Sequence, residues 1–168
     1  MSISMYQVTV PLFQRHLTNL AGILAKAEAH CAARKIDPAT MLGARLALDM
    51  FPLVRQVQST CDFAKNCAAR LAGVDPLKFE DSESDFAALK ARIQRAQDYL
   101  ASFKAEQIDG SEERAFVVKL GPREVSFKGQ QYLLTFAIPN FFFHMTTAYD
   151  ILRHYGVELA KPDFTGPN

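Results

Sequence analysis

The chain has 168 residues, 49% of them hydrophobic and 22% charged, which suits a single core spanning residues 1–168 and excludes disordered and collagen-like classes. Nineteen lysines and arginines against eighteen acids leave a net charge of +1 with no basic run, so the sequence lacks the footprint of a nucleic-acid binder and any membrane-surface patch. There is no signal-peptide pattern in the first twenty residues and no run of about eighteen apolar residues, and Cys31, Cys61 and Cys67 form no C-x-x-C, all of which points to a cytoplasmic protein with reduced thiols.

Phe13, Leu17, Leu20, Leu24, Ala27 and Cys31 recur at alternating steps of four and three, which predicts a first long helix with one apolar stripe. Ser4 is a good cap for it, but Pro11 removes a backbone donor and predicts a kink or a late start. Asp37-Pro38 then predicts a short capped turn through about Leu42. The second stripe is Met50, Val54, Val57, Cys61, Ala64, Ala68 and Leu71, with Asp49 as the expected N-cap, Pro52 in the first turn and Gly73 at the end.

The linker GVDPLKFEDSE is polar and turn-rich, and Ser82 with Asp85 gives an approximate capping box. A third helix follows, with Phe86, Leu89, Ile93, Ala96, Leu100 and Phe103 on one face. Residues 115–120 and 123–128 are rich in β-branched and aromatic side chains around Gly121-Pro122, which predicts a β-hairpin. Two strands alone are marginal in water, so the hairpin should lie on the helices or pair with another chain. After Gly129 a fourth helix is expected, bent or broken at Ile138-Pro139, with Asn140 capping a last segment that ends at Tyr155-Gly156. The tail VELAKPDFTGPN has no periodicity and is expected to run over the surface.

No nucleotide-binding glycine loop, nucleophile elbow, H-E-x-x-H or paired Glu-x-x-His motif is present. His144 lies about 90° from the centre of the Met145, Ala148, Tyr149 and Leu152 stripe at 100° per residue, where it can reach an interhelical cleft, whereas His154 should see water. His144 reads either as a ligand or base in that cleft or as an imidazole bonded to a neighbouring polar group. His16 and His30 read as helix-flank residues, with His16 beside Phe13 and Leu17 and able to line the same cleft. Asp49 reads as a helix cap or as a metal or substrate carboxylate. Cys31 and Cys61 read as core fillers. Phe141, Phe142 and Phe143 spread over about 200° of helix, so at least one must face a second surface: the hairpin, the tail or a partner subunit.

The blocks SMYQVTVPLF, ARLALDMFPLVRQVQ, CDFAKNCAARLAG and FKGQQYLLTFAIPNFFFHMTTAYDILRHYGVELAKPDF resemble an uncharacterised bacterial family of the DinB/YfiT-like superfamily over essentially the whole chain. The resemblance implies a mainly α fold, a four-helix bundle with a small β-hairpin between helices three and four, and homodimers. Characterised members resemble metal-dependent thiol S-transferases and hydrolases, with one histidine on helix two and an H-x-x-x-H pair on the last helix. The nearest equivalents here are Asp49 and His144, with Asn140 four residues before His144 and Ala148 four after it. The triad is incomplete, and zinc, nickel or manganese is left with Asp49, Asn140 and His144 as its candidate ligands.

Two readings follow. One is a non-catalytic or degenerate bundle that binds a small ligand as a homodimer, with His16, Asn140 and Tyr149 as pocket candidates. The other is a metal-dependent enzyme in which His144 and Asp49 are catalytic.

Overall fold

A computed structural model describes residues 3–166. The long helices are α1 (Val10–Arg34), α3 (Leu53–Ala72), α4 (Phe86–Ala101) and α7 (Ile138–His154); the shorter ones are α2 (Pro38–Gly43), α5 (Ala105–Ile108), α6 (Gly129–Tyr132) and α8 (Lys161–Thr165). Strands β1 (Ala115–Leu120) and β2 (Arg123–Lys128) pair antiparallel from Ala115 opposite Lys128 to Leu120 opposite Arg123, at the positions the sequence predicts. α3 packs against α7 on one side and α4 on the other, and α1 closes against α4.

The apolar stripes meet in one core. Phe13, Leu17, Leu20 and Leu24 of α1, Val57, Cys61 and Ala64 of α3, Leu89 and Ile93 of α4, and Phe141 and Met145 of α7 are all fully buried. Removing this apolar surface from water is the main stabilising contribution, roughly 25 cal/mol per Å². All three cysteines are buried and unpaired. Desolvation pushes the Cys61 thiol up to about 12 and raises that of Cys67, which suits inert fillers rather than nucleophiles.

Several helix ends differ from expectation. α1 begins at Val10 with Pro11 in its first turn, the late start, while Ser4 organises only the turn before it, its Oγ accepting from Gln7 N at 3.3 Å. α3 begins at Leu53 behind an extended Pro52, so Asp49 is not its cap; Asp49 is exposed in the preceding loop, four residues short of the first helical turn. α4 is capped by Asp85, whose carboxylate accepts from Ala88 N at 2.7 Å, rather than by Ser82. Asp37 caps α2 as predicted, accepting from Ala39 N at 3.0 Å.

The last helix is neither broken nor capped at Asn140. A π-helical turn, Leu133–Ala137, joins α6 to α7, and the Ile138 N–H reaches the Leu133 carbonyl. Pro139 has no N–H for the carbonyl four residues back and its ring would crowd it; the wider turn accommodates both. Asn140 instead turns its Nδ2 onto the Phe136 carbonyl at 2.7 Å.

The tail is more ordered than its lack of periodicity suggests, because α8 is too short to show a period. It docks on α1: Asn19 Nδ2 donates to Phe164 O at 2.9 Å and Lys26 pairs with Asp163 at 2.6 Å. Pro167 and Asn168, the end of that tail, lie outside the described residues, as do Met1 and Ser2.

The 73–85 linker is fastened by a buried ionic cluster. Arg92, whose side chain is wholly buried, reaches Glu83, Asp62 and Asp81, each at 3.0 Å, and donates to Glu80 O at 2.9 Å. Lys65 pairs with Asp62 at 3.3 Å and donates to Leu77 O at 2.7 Å. Phe79 lies beneath the cations of Lys65, Arg92 and Arg95, at 4.9, 5.5 and 4.4 Å from its centroid. Such a cluster fixes the linker's path more than it adds net stability.

Candidate functional site around His144

α3 and α7 face each other through a row of half-buried side chains. Along the π-turn and α7, Phe136, Asn140 and His144 recur every four residues, within about 40° of one another in successive pairs. Opposite them on α3 stand Gln56 and Phe63. His144 lies nearly parallel to Phe63, centroids 5.5 Å apart, and to Phe51, 6.5 Å apart.

His144 Nδ1 is 2.7 Å from Gln56 Oε1. Gln56 is only 1% exposed, and its Nε2 donates to the Phe51 carbonyl at 3.1 Å, so its oxygen must face the ring. That orientation makes Nδ1 the protonated nitrogen and leaves Nε2 with a lone pair. Desolvation, and then the positive charge of Arg55, lowers the His144 pKa, so the ring is neutral at physiological pH. Phe51 and Phe143, which also touches His144, are 50% and 57% exposed. The result is an aromatic patch with His144 Nε2 as an acceptor among the rings and the Arg55 guanidinium 5.8 Å from the Phe51 centroid.

The other predicted residues do not join this patch. His16 lies between α1 and the opposite flank of α7: its Nδ1 is 2.9 Å from Leu12 O and its ring meets Phe142 edge-on at 4.8 Å. Tyr149 is on that flank too, about 180° around α7 from Asn140, against Phe164 of α8. His16, Asn140 and Tyr149 therefore do not form the single pocket expected of them. Phe164 links His16 and Tyr149, with Tyr149 and Phe164 lining a separate apolar hollow of about 340 Å³. Phe141 is core, Phe142 packs on His16 and Phe164, and Phe143 alone is presented outward. His154 is exposed, as predicted.

The residues present do not fit the divalent ion that the resemblance implies. Among the described residues no three His, Cys, Asp or Glu side chains are grouped so as to hold a metal. His144 Nε2 and Asn140 Oδ1 remain as donors on one face of α7, but Asp49 is exposed with neither a hydrogen bond nor an ion pair to His144, so the acidic ligand is missing from the set. Gln56 is the residue of this candidate site that sequence reasoning missed. Its signal was faint: an amide beside the stripe residue Val57, on a helix flank where a buried polar group must find a partner.

The solved structure of a DinB family member protein from Shewanella denitrificans superimposes with a TM-score of 0.87 and 39% identity, covering 97% of this chain and 92% of that one. The profile of a domain of unknown function, DUF1993, matches residues 5–165. The chain belongs to the DUF1993 family. The mainly helical fold with one antiparallel hairpin is thus that of a DUF1993 protein with a DinB-type structural relative. No protein of curated function matches it. Among the described residues no helix of this DUF1993 chain is long and apolar enough to cross a membrane.

Proposed function

We propose that this chain is a non-catalytic, DinB-like binding protein that takes a small aromatic or apolar ligand at the patch around His144 and acts as a cytoplasmic homodimer. The observation that carries the reading is the Gln56–His144 bond: it spends the imidazole's only proton internally and offers Nε2 as a fixed acceptor beside Phe51, Phe63 and Phe143. Such a site recognises a flat apolar molecule with one N–H or O–H donor. Among the described residues no three His, Cys, Asp or Glu side chains gather as a metal site, which favours binding over metal chemistry.

Saturation-transfer NMR with indole and phenol tests it. Transfer from the aromatic protons of Phe51 and Phe63, lost in His144→Ala, is expected; no transfer with either probe, or transfer unchanged in His144→Ala, rejects the ligand site. The dimer is tested by sedimentation. Phe143→Asp should shift a micromolar dimer to monomer, and a wild-type monomer at that concentration rejects self-association.

A second reading, an enzyme of thiol-transferase or hydrolase type at His144 and Asp49, draws on the family resemblance and on the neutral imidazole with a free lone pair. It calls for a metal that the donor set does not hold. An unchanged Tm with added zinc, nickel and manganese would remove the metal-dependent version.

A further inference from the structure

Away from His144, the C-terminal end of α3 and strand β1 enclose an open groove of about 790 Å³, with the Gly73–Pro76 turn as one wall. Three cations line it, Arg70, Arg114 and Lys119, against one acid, Asp75. We propose that this groove binds a small polyanion, a phosphorylated or polycarboxylated metabolite, through Arg70, Arg114 and Lys119.

What sets the two arginines apart is the neutrality of the groups that hold them. Arg70 Nη1 donates to the Tyr132 hydroxyl at 2.7 Å and its guanidinium lies 5.5 Å from that ring's centroid. Tyr132 is fully buried, and desolvation raises its pKa, so the phenol stays uncharged and leaves the Arg70 charge uncancelled. Arg114 donates through Nη1 to the Leu71 carbonyl, again a neutral partner. Arg55 and Arg92, by contrast, are each matched by carboxylates.

Arg114 adds one bond, to the Leu71 carbonyl, to a helix end that also closes itself. The α3 terminus already makes its own capping bonds, Gly73 N to Arg70 O and Val74 N to Ala69 O, both 3.0 Å. Gly73, at φ +76, lets the guanidinium lie against the turn, where a Cβ would come within 3.2 Å of Nη1. Each arginine is therefore oriented by one nitrogen and keeps further N–H donors for an oxyanion, the planar fork that suits phosphate and carboxylate. Lys119 adds a flexible third charge, its one acidic neighbour, Glu124, being 3.6 Å away with both side chains well exposed.

Isothermal titration of the full chain at low salt with pyrophosphate and, separately, citrate tests the proposal. Saturable binding of pyrophosphate identifies a phosphorylated class and of citrate a polycarboxylate class, and either supports the site. Lys119→Glu, on an exposed strand position, should weaken binding about tenfold, the scale of one charge-assisted hydrogen bond, while Arg34→Gln on α1 should leave it unchanged. Arg70→Gln should abolish it; if that variant fails to fold, Lys119→Glu still decides. No heat from either anion up to about 1 mM, or equal losses in Lys119→Glu and Arg34→Gln, overturns the proposal.

Discussion

His144 on α7 donates its Nδ1–H to the side-chain oxygen of Gln56 on α3, 2.7 Å away, and Gln56 in turn is locked by its own bond to the Phe51 carbonyl. One buried amide therefore sets both the orientation and the tautomer of the imidazole.

Long-range ¹H–¹⁵N NMR at neutral pH should show the Nδ1–H form of His144 as the dominant species. Gln56→Leu should shift it toward the Nε2–H form that free imidazoles prefer and cost about 1–2 kcal/mol, since the Phe51 carbonyl loses its donor. Unchanged nitrogen shifts in Gln56→Leu would show that Gln56 does not set the tautomer.

The lowered pKa of His144 has a sign for stability. The native state resists protonating this ring more than the unfolded chain does, whose histidine titrates near 6.5, so the unfolded state takes up the proton first as pH falls. The penalty is absent above that value, grows as pH drops through it, and is complete below the native pKa. Thermal melts from about pH 7 to about pH 5 should show His144→Gln losing less Tm than the wild type; parallel curves would exclude His144 as a source of acid sensitivity.

Among the described residues Arg92 is the one cation paired with the buried Glu83, whereas Asp62 and Asp81 are also met by Lys65 and Arg55. Arg92→Leu should destabilise the chain by about 3–5 kcal/mol, because the buried Glu83 is left as an uncompensated charge, and Arg92→Lys should recover only part of it because the planar fork is lost. Urea denaturation measures both. A loss below about 1 kcal/mol in Arg92→Leu would mean that the linker is held by other contacts.

Gly129 follows β2 where the backbone of Ser111 passes closest: a Cβ built there lies 2.0 Å from the Ser111 carbonyl oxygen. Neither backbone can yield without moving the hairpin, so Gly129→Ala should cost about 3 kcal/mol or more, read as a fall in Tm. Gly43→Ala, where a Cβ meets nothing within 4 Å, serves as the near-neutral comparison.

The long helices were legible because burial demands a stripe and the stripe is visible in residues such as Phe13, Leu17 and Leu20. The hairpin was legible because β-branched runs flank a Gly-Pro turn. Helix starts were less so. Asp49 and Pro52 compete as signals within four residues, and the extended proline sets the boundary while the aspartate stays in the loop. The site was half legible: helical phase places His144 at a cleft edge, where it is, but its partner lies 88 residues away in sequence and carries an amide that no titration or ligand motif flags. The assignment of His16 and Tyr149 to the same cleft failed because phase around α7 says which flank a residue takes only once the neighbours of that flank are known. The π-turn also escaped notice, since Pro139 announces a disturbance without saying whether the helix stops or widens.

That π-turn amounts to one additional residue in an otherwise continuous helical count between Tyr132 and His144. Shortening it by a single residue would restore a regular ladder and swing everything before it by about 100°, with a shift of about 1.5 Å along the axis. His144 would keep its place beside Gln56, while Tyr132 would leave Arg70. The aromatic patch and the basic groove are thus indexed to each other by one inserted amino acid, so a relative differing in length at this point can retain one surface and lose the other.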